Sequence, residues 1–108
     1  MPAPTIQQFF GNNATLTGST LTINLNDFTG VGLTPATAQP GDIMAALVLR
    51  IISVTPVDAA TTDKQWPVTV GTPFISVVRD NEQLERSFPV SFYTPFTNAV
   101  FDPDAVIG

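Results

Sequence analysis

The chain contains no cysteine and no histidine. Without cysteine it can form no disulfide, hold no zinc through thiolates and offer no thiol nucleophile. Without histidine it lacks the commonest general base near neutral pH and the commonest transition-metal ligand. A Ser-His-Asp arrangement is impossible. Charge is scarce as well. Charged residues make up 12% of the sequence, roughly half the usual share. Nine acids face four cations, for a net charge of −5. The cations Arg50, Lys64, Arg79 and Arg86 are scattered. They cannot make the stripe that neutralises a nucleic-acid backbone, nor a polybasic patch for an anionic membrane. No nucleic-acid and no membrane partner is expected. The longest apolar run, Ile43 to Leu49, is far too short to span a bilayer. The opening "MPAPTIQQFF" lacks the basic and apolar regions of a secretion signal. A cytoplasmic protein, free or incorporated in a particle, is the expectation.

What is present is an apolar and uncharged-polar chain. At 108 residues, 44% of them hydrophobic, a single α+β domain over 1–108 with a real core is expected. Polarity comes from threonine, asparagine, serine and glutamine rather than from charge. Such a surface is hydrated but weakly repulsive, so self-association meets little electrostatic opposition.

The clearest local pattern is "TLTGSTLTINL", residues 15–25. Gly18-Ser19 suits a two-residue type II′ turn, with glycine at the position that needs positive φ. That turn predicts a hairpin over 12–25, pairing Thr17 with Thr20, Leu16 with Leu21 and Thr15 with Thr22. Period 2 then puts Ala14, Leu16, Leu21 and Ile23 on a core face and the threonines on a solvent face.

Residues 26–39 carry Gly30, Gly32 and Pro35 and read as a loop. The segment 40–54, "PGDIMAALVLRIISV", predicts the central helix. Pro40 fits its first turn and Asp42 complements the positive end of its dipole. Asp42, Ala46, Arg50 and Ser53 form one narrow stripe, and nearly all else is apolar. A helix of that kind is expected to be buried on most sides. The lone Arg50 either reaches water along its stem or pairs with a carboxylate across a subunit interface.

A second hairpin is predicted over 68–94, with a polar tip at 80–83 pairing Arg79 with Leu84 and Val77 with Arg86. Ile75, Val77, Leu84, Phe88, Val90 and Phe92 then share a face. Its first strand is apolar on both faces, and Pro73 and Pro89 each favour an edge or a bulge. The order is ββ-α-ββ, two antiparallel hairpins flanking the helix. They are expected to form one sheet with the helix packed on it, or else two separate sheets with the helix between them. An N-terminal arm, 1–11, is expected to be extended because of Pro2 and Pro4. A C-terminal arm, 95–108, is also apolar.

The catalytic inventory is thin. Asp102 and Asp104 form the closest acidic pair, and Asp58 and Asp63 share a loop. Neither provides the ligand set that calcium needs, and no cofactor motif is present. A carboxylate-only enzyme is a remote third reading. The leading expectation is a non-catalytic structural protein that self-associates into a homo-oligomer, or assembles with another structural protein. Its composition is of the kind found in virus-particle and tail components, a likeness of style and not of family. The interface candidates are Phe9, Phe10, Arg50, Trp66, Phe96 and Phe101, together with the outer side of the helix. The alternative is a small binding module that takes an apolar ligand between helix and sheet, or a peptide at an edge strand.

Overall fold

A computed structural model describes residues 3–59, 65–95 and 100–107. The fold is α+β. Helix α1 (Ile6–Phe10) leads into strands β1 (Thr15–Thr17) and β2 (Thr20–Thr22). A 3₁₀ segment, Leu25–Val31, and a short 3₁₀ turn, Pro35–Thr37, precede helix α2 (Pro40–Val54). Strands β3 (Val68–Val70), β4 (Phe74–Val78), β5 (Gln83–Ser87) and β6 (Val90–Phe92) follow, and a last 3₁₀ turn spans Pro103–Ala105.

The N-terminal arm is not extended throughout. It turns helical at Ile6, because Thr5 and Gln8 cap a helical turn reciprocally. The Thr5 hydroxyl accepts from the Gln8 amide at 3.1 Å, and the Gln8 side chain accepts from the Thr5 amide at 2.8 Å. That is a capping box, and it competes successfully with the extended preference that Pro4 imposes nearby.

The first hairpin has the predicted register, Thr15 with Thr22, Leu16 with Leu21 and Thr17 with Thr20. Gly18 takes φ +59 at its turn. Helix α2 has the predicted bounds. Pro40 starts it, and the Asp42 carboxylate accepts from the Gln39 amide at 3.0 Å. At the other end the Thr55 hydroxyl donates to the Ile51 carbonyl at 2.6 Å. Pro56 then prevents continuation, since the residue before proline is pushed out of helical geometry.

The two hairpins do not merge. The strands form three separate antiparallel pairs, β1–β2, β3–β6 and β4–β5. The second hairpin is one long ribbon broken in two. Its inner pair, β3–β6, places Val68 opposite Phe92, and its outer pair, β4–β5, places Phe74 opposite Ser87. The pairing slips by one residue between the two pairs. The slip falls at Pro73 and Pro89, which have no amide hydrogen to give to a ladder. Gly71 bridges the break by donating to the Pro89 carbonyl at 2.8 Å.

The tip also lies one residue earlier than predicted, over Arg79–Glu82, so Val77 faces Leu84 and Ile75 faces Arg86. Arg79, Asp80 and Asn81 all take the left-handed conformation, with φ of 56, 60 and 65. Asp and Asn tolerate that region better than other side-chain-bearing residues. They let the tip close without a glycine.

Helix α2 packs on β3, on α1 and on the Leu25–Val31 segment. The core lies there. Phe28, 1% exposed, Leu33 and Ala46 form its centre, with Ile23, Leu25 and Leu47 around them. Ala46 belongs to the stripe that the sequence marks as polar. Only the middle of that stripe turns inward: Ala46 is buried and Arg50 half-buried, while Asp42 and Ser53 are exposed, and the apolar side carrying Met44, Leu49 and Ile52 is left open.

Candidate interaction surface

The aromatic residues that the sequence singles out meet different fates. Trp66 is 3% exposed. Its ring meets Phe9 edge to face, with centroids 5.5 Å apart. Its Nε1 donates to the Thr55 hydroxyl at 3.3 Å. Phe9 and Phe10 are half-buried. Trp66 is thus a lid that fastens the N-terminal helix to the body, and its ring is not presented to a partner. Phe101 is exposed and leans on Phe92 at 5.8 Å. The tail beside it is held by the Ile107 amide, which donates to the Tyr93 carbonyl at 2.8 Å. Phe96 lies outside the described residues, as do Asp63 and Lys64.

Arg50 resolves its own puzzle within the chain. Its Nε donates to the Gln8 carbonyl at 2.8 Å. One terminal nitrogen donates to the Gln7 carbonyl at 3.0 Å and to the Asn12 side-chain oxygen at 3.3 Å. Those carbonyls lie at the C-terminal end of α1, and the Gln7 carbonyl also accepts from the Gly11 amide at 3.0 Å. A guanidinium is suited to them, since it brings several donors and a positive charge to the negative end of a helix. Within the chain its partners are backbone carbonyls and an amide oxygen. The separation of 42 residues between Arg50 and Gln8 hides this contact from any local reading of the sequence.

A second knot was also illegible. Asp27 accepts from the Asn13 amide at 2.8 Å and from the Asn13 side chain at 2.6 Å. It lies against buried Gly11, where an added Cβ would come within 2.6 Å of the Asp27 Cβ. Gly11 has φ +105, a conformation open mainly to glycine.

The surface that stands out is elsewhere. The β4–β5 ribbon comes within 8 Å, Cα to Cα, of no other described helix or strand. Yet it carries apolar side chains on both faces. Ile75, Val77 and Leu84 lie on one face, and Phe74 on the other. Phe74 is 71% exposed, and the other three are each more than half exposed. An isolated two-stranded ribbon is marginal in water at best, and unpaired apolar edges invite pairing. Period 2 had put Ile75, Val77 and Leu84 on one face. Helix α2 does not cover that face.

The ribbon does approach α2 near its base. Met44, Ala45, Val48 and Leu49 of the helix form one wall of a cleft of about 490 Å³, and Arg86 and Phe88 form the other. Met44 is 62% exposed. A smaller depression of about 360 Å³ lies on the other side of Leu49, between the helix and residues 31–34. Among the described residues no group of three or more acidic side chains is placed to hold a metal ion. No described helix is long and apolar enough to cross a membrane.

The amount of exposed surface can be set against the norm. The chain exposes 7646 Å². A folded monomer of 11.5 kDa should expose about 5,800 Å² by the usual scaling with mass. Its radius of gyration is 15.7 Å, against about 13 Å for a compact chain of this length. No family model matches the chain, and neither the curated proteins nor the solved structures contain a match.

Proposed function

We propose that this chain is a non-catalytic structural subunit whose role is to associate with further copies of itself. The observation that carries this reading is the β4–β5 ribbon, apolar on both faces and packed on no other described element. Water penalises such a ribbon by roughly 25 cal/mol for each Å² of apolar surface left uncovered. A second copy would relieve that penalty. The low charge density supports it too, because copies approach with little repulsion.

Native mass by light scattering tests the reading. The full chain should weigh a multiple of 11.5 kDa at micromolar concentration. Val77→Ser combined with Leu84→Ser should lower that mass toward the monomer. A full chain that stays monomeric up to millimolar concentration would overturn it. The cleft of about 490 Å³ favours one second reading, a binding module for an apolar ligand. A persistent monomer whose melting temperature rises with such a ligand would favour that alternative.

A further inference from the structure

Resting on self-association, we propose that the two copies meet in one particular way: the β4–β5 ribbon of one copy seats in the cleft between α2 and Phe88 of another.

Area is the first reason. The chain exposes 7646 Å², about 1,800 Å² more than its mass calls for. A standard interface takes about 800 Å² from each partner. The excess is therefore enough for two patches on every copy. A copy that both gives a ribbon and receives one uses two patches, whereas a single face-to-face contact uses one.

Shape is the second reason. The cleft is concave, and two such clefts set face to face would leave a void, which close packing disfavours. The ribbon is the projecting apolar element among the described residues, and its two faces are otherwise unexplained. A cleft of about 490 Å³ takes the side chains of one face, so Ile75, Val77 and Leu84 would lie between Met44 and Leu49 on one side and Phe88 on the other. Charge is the third reason. Arg86 lines the cleft, and the tip of the entering ribbon carries Asp80 and Glu82 beside Arg79, so it stays acidic on balance. Partners with complementary charge find their register more readily.

The absence of cysteine makes the test clean. Met44→Cys and Val77→Cys are prepared as separate variants and then co-expressed, so that mixed assemblies form. Both positions are exposed, so each variant should fold as the parent does, and circular dichroism checks this. After mild oxidation, the co-expressed pair should give a disulfide-linked species of twice the chain mass, joining position 44 of one chain to position 77 of another. Its yield should exceed that of either variant alone at least tenfold. Self-linking of the Met44→Cys variant would instead indicate helix against helix and overturn the proposal. So would the lack of any cross-link in assemblies that light scattering still finds to be multimeric. In both cases self-association itself survives. A monomer at every concentration would remove the functional reading and this inference with it.

Discussion

The two ends of the molecule treat apolar residues in opposite ways. At the α1–α2 end, Phe28, Ala46 and Trp66 are buried, and the polar groups near them are partnered: Arg50 on the α1 carbonyls, Trp66 Nε1 on Thr55 and Asp27 on Asn13. At the β4–β5 end, Phe74, Ile75, Val77 and Leu84 stand in water. Both ends are comparably apolar in sequence. The difference is that the first end brings three elements together from distant parts of the chain, while among the described helices and strands the ribbon packs closely only on itself. Apolar residues at the first end hold the fold. At the second they are free to hold a neighbour.

Four substitutions sharpen or break this comparison. Phe28→Ala should have the largest effect on folding. It removes the most buried side chain and should cost about 3–5 kcal/mol, measured as a lower urea midpoint. A loss below about 1 kcal/mol would mean that the packed end is not the stabilising one. Gly11→Ala should follow, at about 1–3 kcal/mol, because it combines a disfavoured φ with a close approach to Asp27. Arg50→Ala should cost about 1–2 kcal/mol. It removes hydrogen bonds from a charged donor, weakened here by partial exposure. Hydrogen exchange should locate the damage in residues 6–10, and uniform loosening would contradict the capping role. The smallest effect on folding should come from Leu84→Ser, within about 0.5 kcal/mol, as expected for an exposed site. That same substitution should produce the clearest fall in native mass. A Leu84→Ser chain that unfolds easily but keeps its mass would reverse the assignment of the two ends.

Much of the fold was legible because much of it is local. Gly18 announces a turn because glycine alone takes positive φ at little cost, and the Thr/Leu alternation then sets the register of β1–β2. Pro40 announces the start of α2, since its fixed φ suits a first helical turn and its missing amide hydrogen is not needed there. Pro73 and Pro89 announce a fault in the second hairpin through their missing amide hydrogens. The interaction surface was legible in its parts only. Alternation placed Ile75, Val77 and Leu84 together, and the helix reads as over-apolar from its composition. The candidates drawn from aromatic content fared differently, since Trp66 and Phe9 are large enough to seal the body and are used to do so. Leu16 and Leu21 carried the opposite error. They were expected on a core face and are exposed, because among the described elements only the short helix α1 approaches that hairpin.

The sequence by itself determined the turns, the helix bounds, the two-residue alternation and the absence of thiol and imidazole chemistry. These follow from dihedral preferences and hydrogen-bond inventories that act within a few residues. The tertiary structure alone decided that Arg50 caps α1, that Trp66 closes over Phe9, that the hairpins stay apart and that the β4–β5 ribbon is left uncovered. Each of those depends on which surfaces, far apart in the chain, come into contact. Hydrophobic burial is non-directional, so a strand apolar on both faces suits several neighbours equally, and its own residues do not choose among them.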